Sequence, residues 1–218
     1  MSFLNPLSLL AIAASYLVGS LSFAVIVSKV LGMADPRSYG SKNPGATNVL
    51  RSGRKGAALA TLLLDALKGW LPVFLIVRFG AGHGMGLDTA ALAGLAAFLG
   101  HLYPVFFRFQ GGKGVATAAG VLVGVAPLLG LATGLTWLIV AVFFRFSSLA
   151  SLAAAFFAPA YYLIGGGIAW PLDAIALLAL VVMSLLLVWR HRENIRRLVA
   201  GTESKLGAKS VPKNAEGN

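Results

Sequence analysis

Four polar clusters interrupt an otherwise apolar chain, and each holds side chains that could act on an anion. The first is Gly40-Ser41-Lys42-Asn43-Pro44-Gly45-Ala46-Thr47-Asn48-Val49-Leu50-Arg51. Its hydroxyls, amides, cations and glycines could fold back and offer Ser41, Asn43, Gly45, Thr47, Asn48 and Arg51 to a phosphate; an ordinary turn-rich loop would use the same residue types. In the second, Gly100-His101 leads through Gly111-Gly112-Lys113-Gly114 to Thr117. Glycines that allow close backbone approach, a helix start and one lysine make a phosphate cradle in physical terms. A tight interhelical connection would also need Gly111, Gly112 and Gly114. The Gly-x-x-x-x-Gly-Lys-Ser/Thr spacing is absent, so ATP is not implied. The third cluster, Arg145-Phe146-Ser147-Ser148, offers a serine that either caps the next helix or donates to a ligand. The fourth is His191-Arg192-Glu193-Asn194-Ile195-Arg196-Arg197, in which a helix puts His191 and Asn194 on one face at i, i+3. Arg196 and Arg197 read as basic residues that meet anionic lipid.

Asp65 and Lys68 form an i, i+3 pair inside an apolar run, where a structural ion pair and a functional charge are both reasonable. The chain has no cysteine and only three histidines, which removes disulfides, thiolate metal sites and cysteine nucleophiles. HExxH, GxSxG and His-x(4)-Asp acyltransferase patterns are missing as well, so no metal and no cofactor is expected. What remains is a set of anion-binding groups with few acids or bases, suited to phosphoryl or acyl transfer on phosphorylated, partly lipidic substrates.

The elements that position these groups must be membrane helices. Of the 218 residues 58% are hydrophobic and 11% charged, against roughly 25% charged in soluble domains. Apolar runs cover 8–27, 57–77, 89–107, 149–164 and 172–189. The stretch 115–144 would reach about 45 Å as a single helix, more than a ~30 Å hydrocarbon core needs. Two short spans that turn near Pro127 put the basic loops at 29–55, 108–113 and 145 and the basic tail on one side. The expectation is an all-α, polytopic membrane protein of seven transmembrane helices, N-terminus outside and C-terminus cytoplasmic, with all four clusters on the cytoplasmic face. The net charge of +11 then belongs to cytoplasmic loops and membrane lipid, with no nucleic acid as partner. Residues 1–206 read as one transmembrane domain, and 207–218 as a disordered basic tail.

At these clusters the sequence resembles the PlsY family, bacterial acyl-phosphate:glycerol-3-phosphate acyltransferases. The matching stretches are GSKNPGATNVLR (40–51), LDALKG (64–69), GHLYPVFFRFQGGKGVATAAG (100–120), RFSSLASL (145–152) and HRENIRRLVAGTESKLG (191–207). The resemblance implies transfer of a fatty acyl group from acyl phosphate to the 1-hydroxyl of sn-glycerol 3-phosphate. Lysophosphatidic acid and inorganic phosphate are the products, in phospholipid biosynthesis at the bacterial inner membrane. It implies activity-bearing roles for Ser41, Arg51, Lys113, Ser148, His191 and Asn194, with Ser147 the neighbouring alternative to Ser148. It also implies a phosphate loop at Gly111–Gly114 and a structural glutamate at Glu193; Asp65, Lys68 and His101 are taken as structural with it. An upstream enzyme that forms acyl phosphate is the expected partner. An acyl phosphate already carries a good leaving group, so the attacking hydroxyl needs only a proton acceptor: His191 or an oxygen of the donor phosphate. The alternative from another class is a transporter of a small phosphorylated anion, which would want an internal repeat and polar residues at mid-membrane. No repeat is evident, and only Asp65 and Lys68 meet the second requirement.

Overall fold

The computed structural model describes residues 5–207, so the tail expected over 207–218 lies, from 208 on, outside the described residues. Among those residues the regular elements are helices, with one isolated bridge between Gly166 and Trp170.

The first apolar run departs from expectation: it is two helices, α1 (Pro6–Gly19) and α2 (Phe23–Val30), bent by 45°. Pro6 opens α1, with the Asn5 side chain accepting from the Ser8 amide at 2.8 Å. At the bend the Leu21 carbonyl accepts a hydrogen bond from Lys68 Nζ at 2.7 Å. The break therefore has its orphaned backbone oxygen satisfied by an intramembrane cation.

The short α3 (Ala46–Leu50) follows the first polar cluster, and α4 (Lys55–Phe79) is the longest helix. Then come α5 (Leu87–Leu102), α6 (Val115–Val125), α7 (Pro127–Phe144), α8 (Ser147–Gly165), α9 (Ala174–Arg190) and α10 (Arg192–Val199). The ambiguous stretch 115–144 divides where Pro127 predicts: Ala126 is extended and Pro127 begins α7. The two halves are unequal. α7 has 18 residues, long enough to cross, whereas α6 has 11 and spans only about 17 Å. Among the described residues, by length and composition, four helices could cross a membrane, or up to six if each bent pair, α1–α2 and α9–α10, counts as one span.

Helices approach at glycines. A Cβ on Gly69 of α4 would strike the Thr117 carbonyl of α6, and one on Gly120 of α6 would strike the Ala66 carbonyl of α4. Gly19 of α1 meets the Ala97 carbonyl of α5 in the same way. Membrane helices associate through such backbone-level packing, because burial of apolar surface gives no gain between helices already in lipid. Outward positions carry large apolar side chains, among them Leu63, Phe143, Phe156 and Leu185.

Asp65 and Lys68 are paired at 2.7 Å, with side-chain exposures of 4% and 1%. His101 Nδ1 lies 3.6 Å from Asp65 and 3.2 Å from Thr117 Oγ1. These contacts join α4, α5 and α6 to the bend after α1. Removing one partner of a buried ion pair leaves the other uncompensated, at a cost of about 3–5 kcal/mol. Lys68→Met is expected to lower the thermal midpoint of the detergent-solubilised protein sharply. Asp65→Asn with Lys68→Met should recover part of the loss; a double variant less stable than the single would contradict this account.

Candidate active site

The four clusters converge on one cavity of about 560 Å³. Its mouth carries Ser41, Arg51, Lys113, Ser148, His191 and Asn194, and its body is lined mainly by apolar residues of α6 to α9.

The first cluster is folded around Asn48. This side chain is buried, donates to the carbonyls of Pro36 (2.7 Å) and Tyr39 (3.2 Å), and accepts from the Ser41 amide (3.0 Å). Gly40 has φ +56°, and a Cβ there would collide with Asn48 Oδ1. Asn48 is thus a loop clasp that also borders the cavity. The clasp aims Ser41, Asn43, Gly45, Thr47 and Arg51 at the cavity.

The glycine-rich cluster also differs from a row of free N–H donors. Gly112 donates its amide to the His101 carbonyl at 3.1 Å. Arg190 holds the carbonyls of Gly111 (2.8 Å) and Gly112 (3.1 Å), and its guanidinium lies over the Tyr103 ring. A Cβ on Gly112 would collide with His101 Nε2, so this glycine serves close packing rather than contact with a ligand. Gly111 borders a separate, shallower depression with Arg37, Lys42 and Arg190. Lys113 and Gly114 alone of this loop face the main cavity, Gly114 at φ +84°. Arg190 is the clamp that makes this possible.

Lys113 Nζ donates to Asn194 Oδ1. The Asn194 amide donates to Glu203 Oε1 at 2.5 Å, Ser148 Oγ donates to the same oxygen at 2.6 Å, and Arg197 Nε donates to Oε2 at 2.7 Å. Glu203 is only 5% exposed. Burial works against its charge, but the hydrogen bonds from Ser148, Asn194 and Arg197 prevail and hold its pKa below the usual carboxylate value. Glu203 is therefore the glutamate at the centre of this network, whereas Glu193, expected as structural, is 57% exposed and meets Arg192 and Arg196 at the surface. Arg197 is bound to Glu203, whereas Arg196 is 77% exposed. Of the two serines, Ser148 enters this network. Ser147 begins α8, where no side-chain cap is made.

His191 is buried at the junction of α9 and α10, and its Nδ1 lies 2.8 Å from the Leu187 carbonyl. A carbonyl only accepts, so Nδ1 carries the proton and Nε2 keeps its lone pair. Burial first, and the Lys113 charge second, lower the His191 pKa to about 4, which leaves the ring neutral at pH 7. Burial also lowers Lys113, to about 8. The Glu203 charge opposes that shift, while Arg197, Arg51 and Arg190 add to it. Among the described residues no three His, Cys, Asp or Glu side chains converge as metal ligands would.

Comparison with known proteins agrees on one family. The sequence profile described as glycerol-3-phosphate acyltransferase matches residues 9–201. A glycerol-3-phosphate acyltransferase of Albidiferax ferrireducens is 67% identical over 195 residues, which cover 89% of this chain and 87% of the relative. One from Burkholderia pseudomallei is 64% identical over 206 residues, 92% of this chain and 96% of the relative. Two crystal structures of PlsY, an integral membrane glycerol 3-phosphate acyltransferase, superpose on this fold. Its glycerol 3-phosphate form gives a TM-score of 0.83 at 39% identity, covering 91% of this chain and 94% of that one. Its lysophosphatidic acid form gives 0.81 at 38%, with the same coverage.

The lowered pKa of Lys113 predicts pH-dependent anion binding. Sulfate affinity, measured by calorimetry, should fall as pH rises through about 8 and Lys113 loses its proton. Glu203→Gln removes the charge that supports the ammonium, so the fall should begin at lower pH; Lys113→Arg should abolish it. A pH-independent affinity in the unmodified protein would refute the assignment.

Proposed function

Since the chain belongs to the glycerol-3-phosphate acyltransferase family, a family of integral membrane enzymes, we propose a specific reaction for its cavity. A fatty acyl group passes from acyl phosphate to the 1-hydroxyl of sn-glycerol 3-phosphate, giving lysophosphatidic acid and inorganic phosphate. The acyl acceptor and the place in phospholipid synthesis follow from the family, and membership decides against the transporter reading. The acyl phosphate donor is our reading of the chemistry. The observation that carries it is a single cavity with cations and hydroxyls at its mouth and an apolar body behind them, fitted to a molecule with a phosphate at one end and a hydrocarbon chain at the other.

In this reading Arg51 and Lys113 neutralise the two phosphates. Ser41, Asn43, Gly45 and Thr47 line the acceptor side of the mouth, and Asn194 holds Lys113 directly while Glu203 and Ser148 hold Asn194 in place. The acceptor oxygen attacks the acyl carbonyl carbon, the bond from that carbon to the phosphate oxygen breaks, and the hydroxyl proton leaves. An imidazole with a pKa near 4 is a weak base at pH 7. The proton therefore goes to an oxygen of the donor phosphate, while His191 Nε2 accepts a hydrogen bond from the hydroxyl and orients it. The topology that suits this chemistry has seven spans, an external N-terminus and the mouth facing the cytoplasm of a bacterial inner membrane. An upstream enzyme that forms acyl phosphate supplies the donor.

Incubation of the purified protein with glycerol 3-phosphate and palmitoyl phosphate is expected to yield lysophosphatidic acid and phosphate in equal amounts, and palmitoyl-CoA to yield neither. Comparable turnover with the thioester would overturn the choice of donor. For the proton route, His191→Asn keeps a side-chain hydrogen-bond acceptor but takes no proton at neutral pH. It should retain substantial kcat, with a pH profile of unchanged shape, whereas a loss toward the 10²–10⁴-fold of a missing general base would make His191 the acceptor.

A further inference from the structure

Gly134 has no reason in the protein itself to be a glycine. It lies inside α7, where glycine is unfavourable relative to alanine, and it has no positive φ. Gly56, in the exposed first turn of α4, also meets nothing, but the glycines deeper within the membrane helices are explained by their neighbours. A Cβ on Gly69, Gly94, Gly100, Gly120, Gly124 or Gly130 would collide with an adjoining helix. At Gly134 a Cβ would meet nothing within 4 Å. The empty space beside it is the cavity: Gly130, Thr133, Gly134 and Trp137, at i, i+3, i+4 and i+7, present one face of α7 to it.

The register of this face against α8 gives the depth of each position. Trp137 Nε1 donates to Ser151 Oγ at 3.1 Å, one turn in from Ser148 at the mouth. Gly134 is the next turn inward, about 5 Å deeper. The floor is reached at Gly130 on α7, Ala158 on α8 and Leu180 on α9. Leu180 is roughly 16 Å along α9 from His191, by helical rise. Beyond it lies the closed core, with Leu129 and Tyr162 fully buried. Along its length the channel ends against this core, and Gly134 stands midway along it.

We propose that Gly134 determines the length of acyl chain the enzyme accepts: by withholding a side chain halfway down the apolar part of the cavity, it keeps the inner half open to the distal methylenes of the substrate. This inference rests on the acyl-transfer reading above. A side chain at 134 would shorten the channel without touching the polar mouth, so short chains should react as before and long chains should lose the burial of their terminal carbons.

Rates of glycerol 3-phosphate acylation with octanoyl, lauroyl and palmitoyl phosphate test the proposal in the unmodified protein, Gly134→Ala and Gly134→Leu. For Gly134→Leu, kcat/KM with palmitoyl phosphate should fall roughly tenfold or more, because the added side chain takes the space of its distal methylenes and overfilling an apolar site is unfavourable, while octanoyl phosphate is unaffected. Gly134→Ala should show a smaller loss confined to the longest donor, and its single methyl enters open space, so it decides the matter if the leucine variant does not fold. Loss shared equally by all donors, or no loss with palmitoyl phosphate in folded variants, would overturn the proposal. Absence of product from every donor in the unmodified protein would overturn the acyl-transfer reading instead.

Discussion

The carboxylate of Glu203 ties together segments that the chain keeps far apart. Ser148 at the start of α8, Asn194 and Arg197 on α10, and through Asn194 the lysine of the loop before α6 all depend on its two oxygens. A hydrogen bond to a charged group contributes about 1.5–3 kcal/mol, and a buried carboxylate left short of partners is costly. The network therefore favours a complete arrangement over any partial one. It fixes where the ammonium of Lys113 sits, and so where a second anion can be held against Arg51.

Around that knot the chain solves a problem of solvent. Most of the molecule offers hydrocarbon to hydrocarbon, and only one end can accommodate a densely charged ligand. Backbone clamps make the transition. Arg190 occupies the carbonyls of Gly111 and Gly112, Asn48 occupies those of Pro36 and Tyr39, and Leu187 occupies His191 Nδ1. Each clamp uses a polar group that would otherwise compete for the ligand and leaves its neighbour, Lys113, Ser41 or His191 Nε2, turned toward the cavity.

What the sequence made legible were features whose cause is local. The turn at Pro127 follows from a residue that cannot continue a helix, and the gathering of four polar clusters at one end follows from the few places where an apolar chain can be polar. What it hid were features that depend on a change of chain direction. Glu193, two residues from His191, draws attention by proximity, but its helix turns it to the surface. Glu203 reaches Asn194, three residues after His191, because Gly201, at φ +68°, follows the end of α10 and sends the chain back. The Gly201-Thr202-Glu203 sequence after a basic helix was the available signal. Amides suit phosphates, and the commitment of Asn48 to two carbonyls appears only once the loop is closed. The bend after α1 was masked by continuous hydrophobicity; its partner, Lys68, is 47 residues away.

The shortness of α6 has a consequence for how the protein is made. Its 11 residues are about half of what a bilayer normally retains as an independent span, and its place is set by backbone contact with α4 at Gly69 and Gly120. Such a segment has little hold on lipid of its own during synthesis. Its entry is tied to the arrival of α7, joined to it through Ala126 and Pro127, and to a docking surface on α4 that the ribosome has already delivered. Chain order suits this dependence: the receiving helix precedes α6, so its docking surface exists before the segment that follows Lys113 must settle against it.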